Sequence, residues 1–365
     1  MAKAKGSQQG DRVSLKELAT RLNTSVCTIS KALHNKPKVS DRMRVKVLAL
    51  AKELGYAPNI LARSMARRPL KVALVHSTEW LSYIRPLFKG AMRRAEELRD
   101  FHISIKEYAF EGSGNNAGCC EALDKAIADR FDTIIFSSTS SESEMDISRQ
   151  ASEVPIVLLG GGRVPQGNLL CIVRQHSRKC GEVAANMTRL LLPDGGSAAV
   201  IIGLANMSDH NEKIRGFGEY LSQCNIAFRG YAESLDEEDH AYFAAAELFG
   251  KHPDISLVYV GTENISGVLA FLSEHGLSEK VKVIATGTSD PVNEGLFNGR
   301  ILCAIDEKPI QQGEMAMDVI FQKMLLGQTP LSTILIPPGI RLKSHLNIQG
   351  DAIVAEEDVR PLPWC

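Results

Sequence analysis

No run in this 365-residue chain approaches the roughly 18 uninterrupted apolar residues that a membrane span needs, so no membrane partner is expected. The segment Met1 to Arg12 is polar, with neither an apolar core nor a cleavage-like site, which predicts a protein that is not secreted and works in the cytoplasm. Cysteine is present without a framework. Cys27, Cys119, Cys120, Cys171, Cys180, Cys224, Cys303 and Cys365 are scattered, no C-x-x-C pair occurs, and the nine histidines show no ligand spacing beside them. Reduced, mostly buried thiols are expected, with no metal and no cofactor. The signatures G-x-x-x-x-G-K-S/T, G-x-S-x-G and H-E-x-x-H are missing. Gly160-Gly161-Gly162 lacks both the G-x-G-x-x-G spacing and a helix start behind it. His210 and the run Asp236-Glu237-Glu238-Asp239 read as surface groups, and no catalytic residue is expected.

A large net charge is also missing: the formal total is -1, which taken whole argues against a nucleic-acid partner. Cutting the chain reverses that inference. Residues 1–71 hold 16 Lys/Arg and 4 Asp/Glu, a net of +12, and the remainder carries -13. Such asymmetry suggests a basic head that docks on DNA and an acidic body that DNA repels. A solvated basic tail is the alternative, but this segment carries helix periodicity.

Ser14-Leu15-Lys16-Glu17 fits a capping box, and Leu15, Leu18, Ala19 and Leu22 follow on one helical face. Asn23-Thr24 breaks that helix, and Ser25 caps a second in which Val26, Ile29 and Leu33 alternate with Cys27, Thr28, Ser30 and Lys31. Two short helices around so tight a turn match a helix-turn-helix. After a polar loop ending at Lys38, Ser40 caps a third helix lined by Val45, Leu48 and Leu54 and ended by Gly55. Between Pro58 and Pro69 the chain is too short to hold a helix in water without packing or a ligand.

Val13-Ser14-Leu15-Lys16-Glu17-Leu18-Ala19, Ser25-Val26-Cys27-Thr28-Ile29-Ser30-Lys31-Ala32-Leu33 and Gly55-Tyr56-Ala57-Pro58-Asn59-Ile60-Leu61-Ala62-Arg63-Ser64-Met65 resemble the lactose/galactose-repressor family of transcription regulators, without gaps over residues 13–65. The resemblance implies that the second helix reads double-stranded DNA, a near-palindromic operator, with Val26, Cys27 and Lys31 at the base-reading positions. Lys31 can donate to guanine, Val26 can pack on a thymine methyl, and Cys27 contributes contact. Ser14, Ser25, Thr28, Ser30, Lys38 and Tyr56 are the accompanying DNA-side candidates. By the same resemblance residues 59–66 form a hinge helix in the minor groove, with Asn59 and Ala62 facing DNA. Met65 would be the wedge that unstacks a base step, or would pack between two hinge helices.

From Leu70 onward, nine apolar strand-like runs alternate with seven helical stretches, the pattern of parallel doubly wound sheets, and some 275 residues call for two lobes. The resemblance implies a two-lobed periplasmic-binding-protein-like α/β core crossed three times, near residues 173, 304 and 335. The expected domains are a disordered tail (1–12), an all-α helix-turn-helix head (13–57), a hinge helix (58–69), an effector-binding and dimerising core (70–345) and a C-terminal tail (346–365). Lobe 1 would take residues 70–173 and 305–334, and lobe 2 residues 174–304 and 335–345.

Ligands in such sheets bind outside the carboxyl ends of the strands, here between the lobes. Against the family's sugar-binding pattern, His176 stands where an Asp is usual before Gly181, Lys213 where an Arg is usual before Gly216, and Gly261-Thr262 replace the usual Asn-Asp pair near Gly267, although Glu263-Asn264 follow. These departures put a plain monosaccharide in doubt, and Lys213 with His176 would tolerate an anion such as a sugar phosphate or sugar acid; either could equally be a solvated surface residue. The candidate effector contacts are Trp80, His176, Lys213, Asn264, Asp290 and Glu307. The tail has no leucine heptad, so a homodimer built from the core is expected. The whole reads as a homodimeric repressor regulated by a small-molecule effector. The alternatives are an activating or corepressor-dependent regulator, a DNA-binding protein with a vestigial cleft, and a transport-binding protein, which the basic head disfavours.

Overall fold

In the computed structural model, which describes residues 13–33, 36–54, 56, 68–78, 81–112, 116–137, 148–160, 168–349 and 352–355, the chain divides into two units at Arg67/Arg68. The first unit holds three helices: α1 (Leu15–Arg21), α2 (Val26–Leu33) and α3 (Asp41–Glu53). Ser14 Oγ accepts the Glu17 amide at 3.2 Å and starts α1, but Glu17 pairs with Arg21 at 3.0 Å, so the expected capping box is only half made. Leu18, Ile29 and Val47 are fully buried at the centre of this unit, with Ala19, Ala32 and Ala51 around them. The expected core face of α3 is wrong by about a quarter turn: Val45 is 66% exposed and Leu48 48% exposed. Val47 and Ala51 point inward instead, flanked by Met43, Leu50 and Leu54. Gly55 and the hinge residues 57–67 lie outside the described residues.

The second unit contains two six-stranded sheets. In the first, the order is β11 (Thr333–Ile336), β5 (Leu169–Gln175), β4 (Ile156–Leu159), β3 (Thr133–Ser137), β1 (Leu70–Ser77) and β2 (Ile103–Phe110), all parallel. Successive strand residues point to opposite faces, and on the central strands both faces are covered. Val72, Leu74 and Ile135 meet α4 (Leu81–Glu97) and α12 (Pro309–Ile320). Ala73, Val75 and Ile134 meet α5 (Asn116–Ala128). A short α6 (Ser148–Glu153) precedes β4.

The second sheet runs β12 (Gly339–Arg341), β10 (Cys303–Asp306), β9 (Lys282–Thr286), β8 (Leu257–Val260), β6 (Gly196–Ile202) and β7 (Ile226–Glu233), with only the β12 edge antiparallel. The same alternation sends Ala198, Val200 and Ile202 toward α7 (Ser177–Leu191) and α8 (Ser208–Leu221). Ala199 and Ile201 go toward α9 (Glu238–Lys251), α10 (Ile265–Glu274) and α11 (Asp290–Phe297). Five strands escaped the sequence reading: the eight-residue edge strand β7, the short β11 and β12, and the hairpin β13 (Leu346–Gln349) with β14 (Ala352–Ala355). That hairpin occupies the start of the expected tail, and Leu346 is buried in the second lobe's core.

The chain crosses between sheets after β5, after β10 and after β11. The three expected crossings fall inside strands that continue pairing past them: Val173 and Gln175 of β5 pair with Ile334 and Ile336, and Ala304 of β10 pairs with Ala285 and Arg341. The lobe boundaries therefore lie two or three residues further along.

Within each lobe one helix pair crosses through reciprocal glycines. A Cβ on Gly181 of α7 would lie 2.1 Å from the Lys213 carbonyl oxygen, and one on Gly216 of α8 would lie 2.1 Å from that of Arg178. In the other lobe, Gly90 of α4 faces Ile310 O and Gly313 of α12 faces Leu87 O in the same way. Only glycine permits backbones this close, and the α7–α8 crossing fixes the height at which Lys213 leaves its helix. Gly216→Val should therefore cost about 1–3 kcal/mol through overpacking, read as a lower chemical-denaturation midpoint with an unchanged m-value; wild-type stability in that variant would show that the helices can separate freely.

Candidate DNA-reading face and interlobe cleft

On α2, Ile29 and Ala32 are buried and hold the helix to its unit, while Val26 (43% exposed) and Cys27 lie outside. At 100° per residue, Val26, Cys27, Ser30 and Lys31 fall on one arc opposite Ile29 and Ala32. A small apolar group, a thiol, a hydroxyl and an ammonium are thereby presented together. Ser25 and Thr28 serve the helix itself: Ser25 Oγ accepts the Thr28 amide at 3.1 Å and lies 2.9 Å from Thr28 Oγ1. Lys38 is exposed in a left-handed turn (φ 69°), and Tyr56 packs against the head's core with its amide on Ala51 O at 2.8 Å. Asn59, Ala62 and Met65 lie outside the described residues, as does Trp80.

In the body, the carboxyl ends of β1, β3, β4 and β5 from one sheet and β6, β8, β9 and β10 from the other bring polar groups to the crossovers. Lys213 is 3% exposed, and its Nζ lies 2.7 Å from Glu307 Oε1 and donates to Gly261 O at 2.8 Å. Burial alone would strip its proton, but the Glu307 carboxylate outweighs that and holds the ammonium charged. Gln312 of α12 donates to the Glu307 carbonyl at 2.8 Å, carrying the link into the first lobe. A second link runs beside it. Tyr83 Oη donates to Gln175 Oε1 at 3.2 Å, and Gln175 Nε2 donates to Asp209 at 3.3 Å. Asp209 also accepts from Ser177 at 2.9 Å and lies 3.6 Å from Arg174. Burial, then Glu307 and Asp209, push the Tyr83 phenol up, so it stays a neutral donor.

Of the expected effector residues, the structure joins Lys213 and Glu307. His176 stands at the N-cap of α7, accepting the Lys179 amide at 3.4 Å. Asn264 occupies the N-cap position of α10 without capping it, and Asp290 is exposed at the start of α11. Lys213, which the sequence offers to an anion, is paired with Glu307 inside the body.

Two groups read as surface turn inward. His210 packs its ring on the Leu204 backbone (Nδ1 3.0 Å from the amide nitrogen), and burial with Lys213 nearby pulls its pKa down to about 3. Asp236 leaves its acidic run to pack over Gly203, where a Cβ would meet its Oδ1 at 2.2 Å. It follows Leu235 in a left-handed pair (φ 52° and 56°), a conformation non-glycine residues rarely hold. Burial raises the Asp236 pKa to about 6. Tyr83, Gln175, Asp209 and Gln312 carried no sequence signal, since each is a single polar residue brought in by topology.

Among the described residues, no group of three His, Cys, Asp or Glu side chains could hold a metal, and no helix is long and apolar enough to cross a membrane. Cys119, Cys171, Cys180 and Cys303 are buried, and burial pushes the Cys171 and Cys303 thiols up to about 11.

Comparison with known proteins matches residues 14–59 to the lacI family of bacterial regulatory proteins and residues 72–329 to a periplasmic binding protein domain. Curated relatives include the HTH-type transcriptional regulator GalR of Escherichia coli, 23% identical over 76% of this chain and 79% of that one. The ribose operon repressor of Escherichia coli is 23% identical over 85% and 93%, and catabolite control protein A of Priestia megaterium 22% over 73% and 79%. Among solved structures, an arabinose binding protein from Geobacillus stearothermophilus superposes with a TM-score of 0.68 at 18% identity, covering 76% of this chain and 98% of that one.

Two measurements check the cleft. Lys213→Met alone should cost about 3–5 kcal/mol by stranding the Glu307 charge, and Lys213→Met with Glu307→Leu should recover most of that loss in denaturant titration; equal losses would show that the pair is not a unit. Asp236 has a folded pKa near 6, above its unfolded value near 4, so the folded state takes up the extra proton as pH falls through that window. Its ionised form is thus destabilising above about pH 6. Asp236→Asn should raise stability by up to about 3 kcal/mol at neutral pH, and the gain should vanish by pH 4; a gain that persists in acid would refute the burial cause.

Proposed function

Because the chain belongs to the lacI family of bacterial regulatory proteins, with a periplasmic binding protein domain behind its DNA-binding head, we propose that it is a homodimeric transcriptional repressor, working in the cytoplasm, whose grip on a near-palindromic operator is set by an effector of the sugar class bound between the lobes. The observation that carries this reading is the outward arc of α2, where Val26, Cys27, Ser30 and Lys31 are displayed by a head of net charge +12. The ammonium of Lys31 matches guanine and the apolar Val26 a thymine methyl. The names of GalR and the ribose operon repressor support the sugar class, and the inward polar groups at the crossovers support a cleft that recognises hydroxyls.

Dimerisation is supported by exposed rings on the second lobe. Tyr231, on edge strand β7, is 48% exposed and Phe243, on α9, is 66% exposed, surface that a second copy would cover. Two heads on a two-fold axis read two half-sites. An effector acts only through differential affinity for two arrangements of the lobes, and the Tyr83–Gln175–Asp209 and Gln312–Glu307–Lys213 links cross the line along which the lobes would move. The same self-pairing supports a second reading, a DNA-binding protein whose cleft is closed by its own charges and answers to no ligand.

Lys31→Ala should cost about 1–3 kcal/mol on the best operator and relax its sequence preference, measured by fluorescence anisotropy on a selected-sequence panel. Loss of equal size on every sequence would assign Lys31 to phosphate and sink the reading of this arc as base-specific.

A further inference from the structure

Arg68 and Pro69 close the expected hinge, and β1 begins at Leu70. Pro69 locks its own φ and confines Arg68 to extended backbone. The Leu70 amide donates to His102 O at 2.9 Å, and the Lys71 amide donates to Asp132 Oδ2 at 2.9 Å. Lys71 returns the contact: its carbonyl accepts the Asp132 amide at 2.9 Å, and its Nζ donates to Asp129 O at 3.1 Å. The turn before β3 is thus tied to the first residues of β1.

The same carboxylate reaches back past Pro69. Arg68 Nη1 donates to Asp132 Oδ2 at 3.1 Å and Nη2 to Oδ1 at 2.5 Å, a two-pronged pair that lies wholly within the body. An exposed ion pair ordinarily contributes little, because ordering two long side chains offsets a screened attraction. Here the Arg68 side chain is 68% exposed, but Asp132 is 17% exposed and already oriented by the Lys71 amide. Only the arginine loses freedom, and a planar fork on a carboxylate is the strong geometry for such a pair. The sheet does not need it, since β1 and β3 pair from Val72 and Thr133 onward.

We propose that Arg68 and Asp132 are a positioning pair for DNA binding. Asp132 holds the point at which the chain leaves the body for the hinge, so less chain is left to order when the head meets its operator. Conformational entropy given up in advance is not lost again on the DNA. The inference rests on the DNA-binding reading and deepens it by naming residues outside the head that set affinity. The rival role for Arg68 is a phosphate contact, with Asp132 competing against DNA for the guanidinium. The two roles differ in sign: losing an anchor weakens binding, and losing a competitor strengthens it.

The test compares full-length wild type, Arg68→Ala, Asp132→Asn and the double variant on a DNA site that the wild type selects from a random library. Asn keeps an oxygen for the Lys71 amide and loses the fork. Each single variant is expected to bind about threefold or more weaker, the scale of a well-formed exposed pair. The double variant, which carries the wild-type net charge, is expected to bind no weaker than either single one, with the salt dependence unchanged in all. Tighter binding by Asp132→Asn, with a salt slope lower by about one in Arg68→Ala, assigns the arginine to phosphate and overturns the proposal. Unchanged affinities, or losses that add in the double variant, overturn it as well. Trypsin supplies a readout without DNA. Cleavage after Arg67, relative to cleavage after Arg63, is expected to be about threefold or more faster in Asp132→Asn, because a released chain fits a protease more readily. An unchanged ratio overturns the anchor whether or not a site is selected. A raised ratio with no site selected upholds the anchor and sinks the DNA-binding reading alone.

Discussion

The Lys213 side chain holds together parts of the body that are far apart in sequence. Its carbonyl oxygen touches the spot where Gly181 has no side chain, so its backbone sets the α7–α8 crossing. Its ammonium reaches across to the carboxyl end of β8 at Gly261 and to Glu307, just past β10, where the chain leaves the second sheet. A buried charge of this kind is tolerated only when it is matched and hydrogen-bonded, and here a carboxylate and a carbonyl do both. Helix packing, the crossover and the polarity of the cleft are therefore one problem with one solution. Moving the helix would strand the charge, and removing the charge would leave Glu307 buried beside Gln312.

This arrangement also explains why the sequence was informative about fold and poor about ligand. Strand alternation is a local signal: Val72 and Leu74 face one way, Ala73 and Val75 the other, and residues two apart report it without any partner. The head was equally legible where caps and apolar spacing agree, as at Ser14, Leu18 and Ile29. On α3 they disagreed. Val45, Val47, Leu48, Leu50 and Leu54 offer two competing apolar arcs, and only contact with α1 and α2 selects the one through Val47 and Ala51. Short strands such as β11 and β12 carry no more than four residues each, too few for a period to show.

The cleft is non-local by construction. Tyr83, Gln175, Asp209, Lys213, Glu307 and Gln312 come from four helices and strands and a crossover, and nothing in the spacing of one element predicts the place of another. Lys213 and Glu307 could be singled out one at a time, but their pairing could not, and the pairing is what changes the chemistry. A lone lysine in a cleft argues for an anion; the same lysine matched by a carboxylate does not. The Asp236 run misled for a related reason. Four consecutive acidic residues resemble a solvated surface, yet the left-handed turn at Leu235 and Asp236 drives the first of them back over Gly203.

The net charge of -1 thus conceals two separate electrostatic tasks. In the head the charge is exposed and long-ranged, suited to counterion release on a polyanion and weakened by salt. In the cleft it is buried, short-ranged and screened little, so selectivity there depends on whether each carboxylate has a partner. The body's overall acidity discourages DNA from approaching it. One nearly neutral chain can therefore keep an exposed charge for a polyanion on one unit and a matched, buried charge for cohesion inside the other.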